Sequence, residues 1–214
     1  MTRLYVFFKR FFDIILSFIA LIVMLIPWCI IAILIKIQSP GPSIYKARRV
    51  GKNGKVFTLY KFRSMIVDSG AVHATTLKGD PRIFPFGKFL RNSKLDETPQ
   101  LLNILKGEMS IIGPRPEDEV NAAELYVGEY EHILDVKPGL SSPASLYDYT
   151  HGEKYPNEEL YVKEFLPKKM KVELYYVLHR SFSYDFKIVF KTIFTILNIM
   201  IGKEEFKEPK EMYL

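Results

Sequence analysis

Asp96 and Glu97 stand side by side in LRNSKLDETPQLLNILKG, residues 90–107 of a 214-residue chain. Arg91 and Lys94 precede them, and Thr98-Pro99 opens an apolar pattern of Leu101, Leu102 and Leu105 that closes at Gly107. Thr98 fits a helix N-cap, Pro99 the first helical position and Gly107 the C-cap. Neighbouring side chains on a helix diverge by about 100°, so one acid can face a site while the other supports it. A helix N-terminus and two nearby cations both favour the ionised carboxylate and lower its pKa. That argues against a general acid and suits a metal ligand or a nucleophile. A helix N-terminus also receives phosphate, and Mg²⁺ bridging carboxylate and phosphate relieves the repulsion between two anions. Acids in a first helical turn are common and most only assist capping, so the pair alone does not make a site.

The remaining chemistry is cationic. Residues 1–70 hold eleven Lys/Arg against two acids in a chain of net charge +6, so this half should face something anionic. Lys61 and Arg63 alternate with Tyr60, Phe62 and Ser64, which predicts one strand face for both cations. Arg115 is held between two prolines in IIGPRP. The single cysteine, Cys29, allows no disulfide within the chain. The four histidines lie far apart without metal-ligand spacing.

The elements that must position these groups read as α+β, mostly helical. Residues 14–35 carry no charge and would make a helix of ~33 Å, enough to cross a bilayer core. Cations flank both ends, and a spanning helix cannot put both on the cytoplasmic side. Pro27 sits near the middle and removes a helix hydrogen bond. A re-entrant membrane helix hairpin bent at Pro27, over residues 1–38, resolves the conflict; an ordinary span with a tolerated proline is the alternative. Residues 39–214 then form the second unit. QSPGPS reads as a loop and GKNGK as the turn of a small β-hairpin between IYKARRV and VFTLYKF. Residues 66–80 read as polar and flexible, 117–135 as an acidic, solvated helix face, and KPGLSSPASLYDYTHGEKYP as a loop region. NEELYVKEFLPKKMKVELYYVLHRS reads as one or two helices. Residues 182–202 fit an amphipathic interfacial helix or a core helix.

The succession YKFRSM, DPR, LRNSKLDETPQLLNILKGEMSIIGPRP and VKPGL, after a basic-flanked apolar run, resembles the bacterial sugar transferase family of monotopic polyprenyl-phosphate phosphoglycosyl transferases. The resemblance covers nearly the whole chain. It implies transfer of a sugar 1-phosphate from a UDP-sugar donor to undecaprenyl phosphate, with release of UMP and a requirement for Mg²⁺. It also implies a compact catalytic domain among interfacial helices, against inner-leaflet phospholipid on the cytoplasmic face of the bacterial inner membrane. By this resemblance the nucleophile that forms a covalent phosphosugar intermediate falls on Asp96, also expected as metal ligand, and its partner acid on Glu97. Substrate-phosphate binding falls on Arg91 and Arg115, with Lys61 and Arg63 as further candidates. The chain departs from the family at two points: Ile26-Pro27 stands where a Ser-Pro pair is usual, and SSPASLYDYTHG follows KPGL.

Two rivals differ in kind. A membrane-anchored binding protein without catalysis would use the acid pair only as a cap. A nucleic-acid binder would use the basic, aromatic strands, but no recognition motif is present and no nucleic-acid partner is expected.

Overall fold

The structure is a computed structural model and describes residues 3–67 and 80–213. Most of the segment expected to be polar and flexible, 68–79, lies outside the described residues.

One helix, α1 (Arg3–Gln38), opens the chain and continues through Pro27 without a break. At 1.5 Å per residue it is about 54 Å long. Its buried residues, Tyr5, Asp13, Ser17, Ile31 and Ile35, recur on one face along its whole length. That face docks on the rest of the chain. Arg10 donates to the carbonyls of Ile104 (2.6 Å) and Leu105 (3.0 Å), Asp13 accepts from the Ile111 amide at 2.9 Å, and the Trp28 indole donates to Thr98 Oγ1 at 2.9 Å. The opposite face exposes Phe7, Phe11, Phe18, Ile22 and Ile26, among many others. By length and composition α1 can cross a membrane.

The hairpin forms where expected: β1 (Ile44–Val50) pairs antiparallel with β2 (Val56–Phe62), Val50 opposite Val56. Asn53 (φ 57°) and Gly54 (φ 72°) take the left-handed conformations that the Asn-Gly turn supplies cheaply. Helix α2 (Pro85–Ser93) leads through a 3₁₀ turn, Leu95–Glu97, into α3 (Gln100–Lys106), which ends at Gly107 with φ 86°. Asn103 is fully buried and stitches α3 to β2, donating to Thr58 O and accepting from the Tyr60 amide. Thr98 does not cap α3. Its hydroxyl donates to Leu95 O at 2.7 Å, because the helical turn already begins at Leu95.

Strand β3 (Ser110–Ile112) pairs in parallel with β4 (Gly139–Ser141). The two chains approach so closely that a Cβ at Gly139 would lie 2.1 Å from the Gly113 nitrogen. Between them, 117–135 forms α4 (Glu119–Leu125), capped by Asp118, and a 3₁₀ segment, Gly128–Asp135. The region after KPGL, expected as a loop, instead forms α5 (Pro143–His151). Ser142 accepts from the Ser145 amide at 2.8 Å and Pro143 takes the first turn, a helix start rather than loop punctuation. A short α6 (Glu158–Leu160) runs through a π-helical stretch, Tyr161–Phe165, into α7 (Leu166–His179). The last long helix, α8 (Phe182–Met200), buries only Asp185, Ile188 and Thr195 and exposes Phe186, Phe190, Ile193, Phe194 and Leu197. It is a surface helix rather than a core helix.

The core joins these elements in patches. Ile31 and Ile35 of α1 pack with Phe62, Phe84 and Leu90. Ala20, Leu21 and Trp28 of α1 reach the patch formed by Leu59, Leu101, Ile104 and Met109. The turn bearing the acid pair is thus clamped between α1, β2 and α3.

Candidate active site

Asp96 and Glu97 lie in the 3₁₀ turn between α2 and α3, only 5% and 4% exposed. Lys94, immediately before the turn, adopts φ 55°, ψ 18°, a left-handed conformation that costs a non-glycine residue energy and redirects the chain sharply. The two acids sit in different surroundings. Glu97 Oε1 accepts from Lys61 Nζ at 3.1 Å and Arg115 Nη2 at 3.0 Å, and its Oε2 accepts from the Tyr149 hydroxyl at 3.2 Å. Asp96 Oδ1 is buried with no hydrogen-bond partner among the described residues.

These surroundings set the ionisation. Burial pushes the Glu97 carboxyl up, but the charges of Arg115, Lys61 and Lys94 outweigh it and hold Glu97 well below the usual range. Burial pushes Asp96 up and the charge on Glu97 adds to it, against the pull of Lys61, Lys94 and Arg91. The sequence expectation that helix end and cations lower both acids therefore holds for Glu97 and fails for Asp96, whose desolvation and unpartnered oxygen dominate. The expectation that one acid faces a site while the other supports it matches the geometry.

Both acids line a cavity of about 270 Å³, together with Lys61, Arg91, Lys94, Arg115 and Tyr149. Six of the seven acidic and cationic residues singled out in the sequence thus converge on one space. Arg63 does not join them. The strand ends at Phe62, and the Arg63 guanidinium turns to the Ser39 hydroxyl (2.6 Å) and the Pro42 carbonyl (2.7 Å), tying β2 to the loop after α1. It is 6% exposed and acts on the chain, not on the cavity. Pro27 lies within α1 and away from the cavity lining.

One cavity residue escaped the sequence reading. Tyr149, on α5, bonds Glu97 and accepts from Arg115 Nη1 at 3.3 Å. The Lys94 ammonium lies 3.6 Å from the centre of the Tyr149 ring, a cation–π contact that screens a buried charge. Burial lowers the Lys94 pKa, while Glu97 and Asp96 raise it. The Ser-Pro start of α5 was the available signal, since it would have made 143–151 a helix carrying Tyr149.

Converging cations around a buried, unpartnered carboxylate make a site for anionic ligands. The model of the bacterial sugar transferase family matches residues 4–199. The chain belongs to that family. It is 39% identical to the UDP-N-acetylgalactosamine-undecaprenyl-phosphate N-acetylgalactosaminephosphotransferase of Aeromonas hydrophila over 92% of this chain and 45% of the relative. It is 35% identical to the UDP-glucose:undecaprenyl-phosphate glucose-1-phosphate transferase of Escherichia coli (strain K12), over 87% of this chain and 39% of the relative. The exopolysaccharide production protein PSS of Rhizobium leguminosarum bv. phaseoli is 39% identical, over 86% of this chain and 92% of the relative. The chain therefore spans under half the length of the first two relatives and nearly all of the third.

Proposed function

We propose that the chain transfers a sugar 1-phosphate from a UDP-sugar to undecaprenyl phosphate. The observation that carries this reading is the contrast within the acid pair: Glu97 is gripped by Lys61, Arg115 and Tyr149, while Asp96 beside it is buried with an unpartnered oxygen. A desolvated carboxylate without donors keeps its lone pairs for an electrophile or a cation.

In the proposed first step an Asp96 oxygen attacks the β-phosphorus of the UDP-sugar. The bond from that phosphorus to the bridging oxygen breaks, and UMP leaves with the electron pair. In the second step an oxygen of the lipid phosphate attacks the same phosphorus, the aspartyl–phosphorus bond breaks and Asp96 is restored. Arg115, Lys61 and Arg91 lie where they can neutralise the phosphate oxygens. Glu97 holds Arg115 and Lys61 in place, and its ionised state keeps the cavity from carrying uncompensated positive charge before substrate arrives.

The residues present also fit Mg²⁺, in one manner. No cluster of three or more acidic, histidine or cysteine side chains among the described residues could hold it alone. Magnesium commonly uses one or two carboxylates plus substrate phosphates and water, and the unpartnered Asp96 Oδ1 offers one such carboxylate. Bound there, it would neutralise phosphate charge.

For the membrane placement, we propose that both ends of α1 lie on the cytoplasmic face, with Pro27 bending the helix in the membrane without interrupting it. The docked face of α1 runs from Tyr5 to Ile35, so both halves touch one polar body. A helix crossing a ~30 Å core could not keep both halves on a body lying to one side. The apolar faces of α1 and α8 then meet lipid, and the basic residues flanking α1 meet anionic headgroups. Single cysteines replacing Arg3 and Tyr45 in a Cys29→Ser background should both react with an impermeant reagent from the cytoplasmic side; labelling from opposite sides overturns the placement.

The reaction is tested with purified protein, undecaprenyl phosphate, Mg²⁺ and a panel of UDP-sugars. UMP release that is lost with EDTA and in Asp96→Asn, with an intact-mass adduct of one phosphosugar when the lipid is omitted, is the expected result. UMP release retained by Asp96→Asn would overturn the covalent role.

A further inference from the structure

Glu173, on α7, takes no part in the steps above, yet it stands directly behind them. It is 2% exposed. A single oxygen, Oε1, accepts from the Arg115 amide at 2.9 Å and from the Ser142 hydroxyl at 3.0 Å. Ser142 in turn accepts from the Ser145 amide and so caps α5. One carboxylate oxygen thus ties the Pro-Arg-Pro turn to the first turn of α5. These segments deliver Arg115 and Tyr149, which converge on Glu97 from 18 and 52 residues away in sequence. The other oxygen, Oε2, is buried without a hydrogen-bond partner among the described residues.

A carboxylate used only to hold two loops together would place both oxygens on donors, or would be replaced by a neutral amide. Burying an anion with one oxygen bare costs stability that a glutamine would not lose in the same way. We infer that Glu173 is a positioning residue whose ionised form, through its one oxygen shared between the Arg115 amide and the Ser142 hydroxyl, holds Arg115 and α5 in register around Glu97, and whose protonation loosens that hold. The inference rests on the proposed transferase reading for its effect on turnover.

The groups facing Glu173 set where it titrates. Burial raises its pKa, pushed up to about 7. The Arg115 amide, the Lys169 ammonium one turn earlier on α7 and the Ser142 hydroxyl oppose the rise, while Glu117 adds to it. Lys169 is itself engaged by Glu117 at 2.7 Å, so its pull on Glu173 is shared. Tyr126, just after α4, and Tyr184 from α8 also lie within electrostatic reach and stay neutral, their own pKa values pushed upward by burial. A hydrogen bond to an ionised acceptor is roughly twice as strong as one to a neutral acceptor, so protonation weakens both contacts of Oε1 together.

The test uses the full chain, with Glu173→Gln and Glu173→Ala. Gln keeps an oxygen for the two donors but cannot titrate. Amide hydrogen exchange is followed at Arg115 and Ser145 at pH 6 and pH 8, corrected for the intrinsic effect of pH. The expected result is protection that falls at pH 6 in the wild type and does not change with pH in Glu173→Gln. In turnover, the ratio of wild-type to Glu173→Gln kcat/KM should fall about ten-fold from pH 8 to pH 6, the change in ionised fraction for a group titrating near 7. Glu173→Ala should lose more activity than Glu173→Gln at both pH values, because Gln keeps the accepting oxygen, and Glu173→Gln should fall furthest below the wild type at pH 8, where the wild-type carboxylate is ionised. Exchange at Arg115 and Ser145 that is pH-independent in the wild type, or a ratio constant across pH, overturns the inference. A wild type without turnover on any donor would fail the transferase reading instead, and the exchange measurement still decides the role of Glu173. Should Glu173→Ala not fold, the Gln variant carries both arms.

Discussion

Two buried carboxylates in this molecule are gripped in nearly the same way and serve different ends. Glu97 accepts from a lysine, an arginine and a tyrosine at 3.0–3.2 Å. Asp185 accepts from Lys9 at 2.7 Å and from Tyr5 and Tyr176 at 2.8 Å. The Asp185 cluster joins the start of α1 to α7 and α8, and every polar partner it gathers is satisfied within the fold. The Glu97 cluster gathers its cations beside a second acid, Asp96, that has an oxygen left bare. A buried, well-paired carboxylate is therefore no sign of chemistry by itself. What separates the site from the brace is the unsatisfied acid beside it.

The comparison breaks most directly at Asp96. Asp96→Asn should lower turnover by at least about three orders of magnitude, the scale seen when a catalytic nucleophile or its partner is removed. It should leave folding intact, since the amide replaces a charge held against desolvation. An unfolded Asp96→Asn protein would mean that Asp96 is a brace like Asp185. Glu97→Gln comes next. It leaves Arg115 and Lys61 facing each other without their counter-charge, and should cost on the order of 10²-fold in kcat, comparable to losing one preorganised electrostatic contact. The corresponding change in the brace, Asp185→Asn, should instead appear in stability, at about 3 kcal/mol by chemical denaturation. Its kcat should change by less than about three-fold.

The two neighbouring acids should also respond to pH with opposite sign. Glu97 is held below its ordinary 4.5, so it contributes stability above that value and loses it as pH falls through the depressed one. Asp96 is held above its ordinary 3.8, so the folded chain binds more protons between that value and the raised one. Its contribution falls as pH rises through that window. Denaturation curves from pH 3 to 8 should show Glu97→Gln with a flatter acid limb than the wild type and Asp96→Asn with a flatter decline above it. Parallel curves for both variants would mean that the acids share one environment.

Much of this arrangement was legible in the chain because it is local. The Asn-Gly turn with alternating flanks set both strands of the hairpin, and Gly107 set the end of α3. What was not legible is tertiary. The β3–β4 pair is three residues long on each side and has no periodicity to read. Arg63 follows the alternation of β2, but the strand stops one residue earlier and the loop carbonyls after α1 claim it. The acid pair was expected to be uniformly ionised because its cations are close in sequence. Burial of Asp96, which reverses that, comes from packing of its turn against β2 and from the side chains of distant segments, Arg115 and Tyr149, that close the cavity around it.

Tyr149 offers the finest cut between site and brace. Tyr149→Phe removes the hydroxyl that donates to Glu97 and accepts from Arg115, but keeps the ring under the Lys94 ammonium. Glu97 retains both cations, so the expected loss is modest, about three- to ten-fold in kcat, with stability changed by about 1 kcal/mol or less. Tyr149→Ala should lose more, because the Lys94 charge then has no aromatic face and its ammonium is free to move toward Asp96. Such a move would satisfy the bare oxygen and make Asp96 resemble Asp185. If Phe and Ala behave alike, the ring does nothing for Lys94, and the difference between the two carboxylate clusters reduces to the hydroxyl and the cations alone.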